Sequence, residues 1–299
     1  MKKKVYAGIM GLVVGDALGV PFEFKQRDTF KCEGMTGWGT YNQPPGTWSD
    51  DSSLTLATLE SIGRVGRVDP EDIMKNFSEW YFYNEFTPYR EVFDVGRTTR
   101  QAIERYRYGT PAIECGGKGE MDNGNGALMR ILPLAFIPDA TIIECVALAS
   151  ITHAKKSAFA CCIYIGFAKL LLEGITTWAA FKEFAENANL GKDDLERLLH
   201  VAELTRDEVK STGYVLDTLE AALWCLLSTD NYKDCVLTAV NLGGDTDTIA
   251  AVAGGLAGNT SPHVVIRAAV RDVKPLTTQE LINYMRIGCL KWCARAWYE

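Results

Sequence analysis

Two short acidic clusters, Ser49-Asp50-Asp51-Ser52 and Asp245-Thr246-Asp247-Thr248, lie far apart in the chain. Each stands just ahead of an apolar run with helical spacing, Leu54-Thr55-Leu56-Ala57 in one case and Ile249-Ala250-Ala251-Val252 in the other. A Ser or Asp at such a position is ordinarily a helix cap, because it accepts bonds from free N–H groups and complements the helix dipole. Capping accounts for one acid per helix and leaves the paired acids unexplained. Isolated ionised carboxylates are costly to remove from water. Four of them with neighbouring hydroxyls make chemical sense around one or two hard divalent cations, Mg²⁺ or Mn²⁺, ligated only by oxygen. If the fold brings the clusters together, two helix N-termini become two rigid halves of one site.

Other residues carry chemistry with weaker local signals. Glu23 lies between Phe22 and Phe24 in a loop expected after the first helix. An apolar collar there raises a carboxyl pKa and suits it to proton transfer. Asp94 lies between Phe93 and Val95-Gly96, where it also reads as an ordinary helix-start acid. The stretch Asp122-Asn-Gly-Asn-Gly-Ala127 is expected to open a helix, its glycines permitting close backbone approach and its free N–H groups suiting a phosphate. His153 is one of three histidines, with His200 and His263, and on its own reads as a satisfied core or surface residue. Gly243 and Gly244 allow Asp245 to approach its neighbours closely.

These residues need a scaffold, and helical periodicity dominates the chain. Helices are expected at about 3–18, 52–63, 70–84, 90–107, 125–137, 139–150, 154–173, 176–187, 192–203, 214–228, 231–241, 246–257, 262–271 and 277–296. Long loops are expected at about 19–49 and 108–124, the second rich in glycine. Ile163 to Leu172 is apolar nearly all round and reads as a central helix. No tandem repeat, Pro/Ser-rich linker or long β alternation is evident. The expectation is therefore one all-α domain over residues 1–299, an orthogonal helical bundle.

Composition narrows the class further. The chain has 299 residues, 47% hydrophobic and 23% charged, as in a soluble globular protein. A net charge of −7 argues against a general nucleic-acid groove. The nine cysteines form no CxxC pair, and Cys289 and Cys293, one helical turn apart, read as reduced buried residues. A reducing cytoplasm is the expected compartment. Val5 to Val14 faintly mimics a signal sequence, but Asp16 interrupts the run and the stretch reads as too short to span a bilayer. Gly8, Gly11 and Gly15 give this first helix a small-residue face for close packing. Nothing suggests a coiled-coil seam, so a monomer without membrane contact is expected.

Several motifs, in order along almost the whole chain, resemble the ADP-ribosylglycohydrolase family. They are Gly11-Leu-Val-Val-Gly-Asp-Ala-Leu-Gly-Val-Pro-Phe-Glu-Phe24, Trp48-Ser-Asp-Asp-Ser-Ser-Leu54, Phe93-Asp-Val-Gly-Arg-Thr-Thr-Arg100, Gly124-Asn-Gly-Ala-Leu-Met-Arg-Ile-Leu-Pro133, Thr152-His153 and Asn241-Leu-Gly-Gly-Asp-Thr-Asp-Thr248. The Phe93 motif is most similar to the bacterial branch that contains the dinitrogenase reductase-activating glycohydrolase. The resemblance implies an all-α fold with a central cleft holding two divalent cations. It assigns Ser49, Asp50, Asp51, Asp245, Asp247 and Thr248 as metal ligands, with Ser49 in place of the family's more frequent Thr. It makes Glu23 the cleft glutamate and Asp94 a catalytic or substrate-orienting acid, with Asp51 and Asp245 as further candidates for proton transfer. It makes Asp122, Asn123, Gly124, Asn125 and Gly126 a wall of the ADP-ribose pocket, and places His153 near the diphosphate or ribose. In some relatives an aromatic stacks on adenine from the position of Asn123.

The implied reaction is hydrolysis of the glycosidic bond between ADP-ribose and an acceptor. Arginine on an ADP-ribosylated protein is the expected acceptor, with serine or a small ADP-ribose-containing metabolite as the other options. A silent ADP-ribose-binding protein and a metal-dependent nucleotide-diphosphate phosphohydrolase are the readings from other classes.

Overall fold

The computed structural model describes residues 2–187 and 192–260. Eleven α-helices account for most of these residues: α1 Lys2–Gly19, α2 Asp50–Val65, α3 Pro70–Tyr83, α4 Arg97–Arg107, α5 Ile142–Ser150, α6 Lys155–Glu173, α7 Trp178–Asn187, α8 Lys192–Leu199, α9 Val215–Leu227, α10 Tyr232–Val240 and α11 Thr246–Thr260. Among the described residues β pairing is confined to two isolated bridges, Trp38 with Gln43 and Gly124 with Tyr214. The all-α expectation holds. The helices expected at 262–271 and 277–296, with Cys289, Cys293 and His263, lie outside the described residues.

The centre of the bundle is α1 packed antiparallel on α11, backbone against backbone. A Cβ added at Gly11 would lie 2.3 Å from the Gly254 carbonyl oxygen, one at Gly15 2.1 Å from that of Ala250, and one at Gly258 2.4 Å from that of Ala7. Such approach is possible only for glycine, and it brings many apolar atoms into van der Waals range. Buried tyrosines from neighbouring helices lock the pair. Tyr232 Oη donates to the Gly11 carbonyl at 2.7 Å and Tyr164 Oη to that of Val252 at 3.2 Å. Thr246 Oγ1 donates to the Gly19 carbonyl at 2.8 Å, fixing the C-terminal end of α1 against the first turn of α11.

The apolar window of α1 is longer than the sequence reading allowed. Lys3–Phe22 is long and apolar enough to cross a membrane, with a mean hydropathy of 1.6, yet 89% of that window is buried inside the protein. Its apolar character is used by the core.

Two helix expectations require correction. The helix expected at 90–107 begins only at Arg97, because Asn84, Phe86, Arg90 and Asp94 all have positive φ, incompatible with a right-handed helix. The helix expected at 125–137 is two short 3₁₀ segments, Asn125–Ala127 and Leu132–Phe136. Pro133 lacks an amide proton and disfavours helical geometry at Leu132, so a continuous α-helix does not form. The segment 125–127 therefore offers no helix dipole for a phosphate.

Overpacking at a backbone contact has no cheap relief. Gly15→Val is expected to lower stability by about 3 kcal/mol or more. Gly63→Ala, inside α2 with nothing within 4 Å of the added Cβ, is expected to gain about 0.5–1 kcal/mol from helix propensity. Urea unfolding midpoints of the two variants, moving in opposite directions, check both statements.

Candidate active site

The α1–α11 seam ends in a pocket of acids. Asp16, in the last turns of α1, is completely buried. Its Oδ1 accepts from the Ser49 amide at 3.0 Å and from Ser49 Oγ at 2.9 Å. Its Oδ2 accepts from the Ser52 amide at 3.0 Å and from Ser52 Oγ at 2.5 Å. Asp16 thus clamps the N-terminus of α2 onto α1, meeting amides that the helix cannot satisfy itself. Ser49 is the N-cap of α2, its hydroxyl accepting from the Asp51 amide at 3.4 Å. Asp50 and Asp51 follow in the first turn, both buried. In the sequence Asp16 interrupts an apolar run within the Gly11–Phe24 motif and carries no assigned role. An acid within an otherwise buried helix was the signal that a partner of special kind had to face it.

The second cluster meets the first. Thr248 Oγ1 donates to Asp51 Oδ2 at 3.3 Å, and the Thr248 amide donates to Asp247 Oδ1 at 2.9 Å. Asp245 precedes α11 and its Oδ2 accepts from Asn125 Nδ2 at 2.8 Å. The same Asn125 amide group donates to Thr218 Oγ1 at 2.9 Å, joining α9 to the site. Glu23 is brought in by a backbone clasp: the Phe24 amide donates to the Gly244 carbonyl at 2.7 Å, and the Gly244 amide to the Lys25 carbonyl at 2.9 Å. Gly244 has φ +73 and its added Cβ would lie 2.1 Å from the Ser211 carbonyl oxygen, so only glycine permits this clasp.

Two triads of carboxylates result, Asp16, Asp51 and Asp247, and Glu23, Asp245 and Asp247, each with ligand atoms within 4.8 Å of one another. Asp247 belongs to both. Three buried oxygens, Asp51 Oδ1, Asp247 Oδ2 and Glu23 Oε2, accept no hydrogen bond. Buried acceptors without donors are rare and costly. This all-oxygen set fits a hard divalent cation. Asp16 is the exception, because its lone pairs are already committed to α2.

The electrostatics agree. Burial first, and then the neighbouring acids, push Asp50, Asp51 and Asp247 well above the usual carboxylate range. Burial also raises Asp16 to about 6, against the four hydrogen bonds that favour its ionised form. Glu23 is pushed up to about 9 by burial and then by Asp94. Asp94 rises to about 6 through burial and then Asp245. The Tyr41 hydroxyl lies between Glu23 and Asp94, where its single proton can serve either carboxylate and partly offsets their shifts. Its ring packs 5.2 Å from that of Phe93. Asp94 has φ +51, a strained conformation of the kind that collects at functional sites. Tyr41 was not foreseen, since a tyrosine in a long loop carries no local signal.

The other candidate residues belong to the Gly124–Gly126 turn and its supports. Asp122 spends its carboxylate on the Gly119 amide at 3.0 Å and on Arg97 at 3.1 Å. Asn123 Oδ1 accepts from the Lys156 amide at 2.9 Å at the start of α6, and Asn123 Nδ2 donates to the Glu120 carbonyl at 3.0 Å. The Asn125 amide donates to the Gly213 carbonyl at 3.0 Å, holding the Gly124–Gly126 turn beside Asp245. His153 is buried behind that turn. A Cβ at Gly126 would lie 2.8 Å from its Cε1, so the imidazole packs flush against the backbone. His200 is exposed and bonded to Glu203, away from the acids.

Comparison with known proteins gives a consistent picture. Residues 1–262 match the family model described as ADP-ribosylglycohydrolase. The chain is 34% identical over 261 residues to the ADP-ribosylarginine hydrolase Tri1 of Serratia proteamaculans, covering 85% of this chain and 70% of that protein. It is 34% identical over 270 residues to the ADP-ribosyl-[dinitrogen reductase] glycohydrolase of Rhodospirillum rubrum, covering 86% and 85% of the two chains. A solved structure described as an ADP-ribosylglycohydrolase-related protein complex superposes with a TM-score of 0.73 at 30% identity, covering 98% of this chain and 97% of that one.

The raised carboxylates have a thermodynamic consequence. A group whose folded pKa lies above its unfolded value stabilises the fold when protonated, and that contribution disappears as pH rises through the folded pKa. Without cations, the melting temperature is expected to fall as pH rises through about 6, where Asp16 and Asp94 ionise, and again towards about 9, where Glu23 does. Mg²⁺ or Mn²⁺ is expected to flatten this slope, because metal binding favours the ionised ligands. Thermal melts in EDTA and in millimolar cation across this pH range read both effects.

Proposed function

This chain belongs to the ADP-ribosylglycohydrolase family of hydrolases, and we propose that it cleaves the N-glycosidic bond between ADP-ribose and the guanidino group of an arginine on a modified protein. The observation that carries this reading is the convergence of Glu23 with Asp245 and Asp247 around unsatisfied buried oxygens, next to the Gly124–Gly126 turn. The arginine linkage is supported by the 34% identity to an ADP-ribosylarginine hydrolase.

In this reading Ser49, Asp50, Asp51, Asp245, Asp247 and Thr248 hold two divalent cations, Mg²⁺ or Mn²⁺. When bound, these ions offset the repulsion among the acids and supply positive charge to orient ribose hydroxyls and polarise water. The chain's own groups do the rest. Glu23 handles the proton transfer at Oε2, a buried oxygen without a donor of its own. Asp94 stands beside Glu23 and places negative charge where an oxocarbenium-like transition state gains from it. Tyr41 orients both carboxylates. Asn125 positions Asp245, and Gly124 and Gly126 let the ADP-ribose approach the backbone closely. A reducing cytoplasmic compartment suits the buried free thiols of Cys115, Cys145, Cys161, Cys162, Cys225 and Cys235.

Mass spectrometry of products from ADP-ribosyl-arginine and ADP-ribosyl-serine peptides, in EDTA and in Mn²⁺, tests the reading. Intact ADP-ribose released from the arginine peptide only with cation is expected. Release of AMP would instead identify a phosphohydrolase, and binding without turnover a silent receptor. Glu23→Gln is expected to lower kcat by about 10²–10⁴-fold. Asp247→Asn is expected to abolish turnover while raising the cation-free melting temperature, because it removes one of the repelling charges.

A further inference from the structure

Arg130 is completely buried, and among the described residues it has no carboxylate partner. A buried charge without a counter-ion is expensive. Its guanidinium lies over the Phe77 ring, 4.8 Å from the centroid, which recovers part of that cost. Its Nη2 donates to the Leu148 carbonyl at 3.1 Å and to Thr152 Oγ1 at 2.8 Å, while Nε and Nη1 have no partner. An arginine held so poorly for stability invites a reason outside packing.

The reason lies one bond further on. Thr152 Oγ1 is also 2.8 Å from His153 Nδ1. An arginine only donates, so Thr152 must accept from Arg130. The hydroxyl has a single proton, and His153 Nδ1 is its one available acceptor among the described residues. The arrangement that uses the Thr152 proton as well as accepting from Arg130 has the Thr152 O–H donating to Nδ1, which then carries a lone pair. In a neutral imidazole the ring proton then sits on Nε2. Burial, and next the charge of Arg130, push the His153 pKa down to about 3, so the ring stays neutral.

Nε2 lies against the Gly124–Gly126 turn. A Cβ added at Gly126 would lie 3.1 Å from it, and one at Gly124 3.6 Å. The Thr99 hydroxyl, buried and without a partner, lies 3.0 Å from the same added Cβ at Gly126. Two polar groups thus converge under the glycine turn. We propose that Arg130 is a positioning residue that, through Thr152, fixes His153 as the tautomer protonated on Nε2, so that the Gly124–Gly126 turn is backed by a hydrogen-bond donor for oxygen atoms of the bound ligand. The ligand's identity as ADP-ribose rests on the function proposed above; the tautomer does not.

Long-range ¹H–¹⁵N spectra of the imidazole rings read the tautomer directly in the full-length protein. The chain has three histidines, and loss of one pattern in His153→Gln assigns the signal. The expected wild-type pattern is a protonated Nε2 and an unprotonated Nδ1, unchanged between pH 5 and 8. Thr152→Val is expected to produce a tautomer mixture and raise KM about tenfold with a smaller change in kcat, and Thr152→Ser to restore both. Arg130→Met is expected to shift the His153 pattern in the same direction. A wild-type His153 protonated on Nδ1, or a Thr152→Val protein with an unchanged pattern, would overturn the proposal. Correct spectra in a protein that releases no ADP-ribose would overturn the functional reading alone.

Discussion

Like charges confined together without water set the terms for this molecule. Asp50, Asp51 and Asp247 are buried within reach of other acids, and burial first and then those neighbours push all three well above the usual carboxylate range. A fold can keep such a group assembled only if the elements carrying it cannot drift apart. The glycine seam between α1 and α11 provides that stiffness, because two backbones in direct contact have no flexible side chains between them to yield. Asp16 extends the restraint to α2 through its bonds to Ser49 and Ser52. The Phe24–Gly244 clasp extends it to the loop of Glu23. A cation bound among these carboxylates would offset their repulsion and stabilise the fold by mass action.

The same arrangement separates two kinds of buried polar residue. Asp16 has donors on both oxygens and behaves as a structural clamp. Asp51, Asp247 and Glu23 each keep an oxygen without a donor, which is what a ligand or a proton acceptor needs. Asn125 falls between, since it holds Asp245 while tying that acid to α9 through Thr218. Hydrogen-bond accounting, more than burial, distinguishes the residues that build the pocket from those free to act in it.

Legibility from sequence followed how local each signal was. The paired acids ahead of apolar runs were readable because helix capping explains one acid and not two, and their convergence agrees with that reading. The small-residue face of α1 was readable from Gly8, Gly11 and Gly15, but its partner on α11 was not, since Gly254 and Gly258 carry no mark of what they touch. The helix expected at 90–107 starts only at Arg97 because Arg90 and Asp94 have positive φ, which neither residue type signals in sequence. Asp16, Tyr41 and Arg130 escaped notice as site elements for a shared reason: each acts through a partner distant in sequence. Asp122 and Asn123 show the converse, conspicuous residues whose side chains are used to hold the turn and the start of α6.

The central claim is that the acids are assembled for cations, and not tolerated as protonated neighbours. Anomalous scattering from crystals grown with Mn²⁺, recorded above and below the manganese edge, tests it most directly. The account predicts anomalous density among the carboxylates of Asp51, Asp245 and Asp247. Full-occupancy crystals at millimolar Mn²⁺ with no anomalous density among these carboxylates would contradict it.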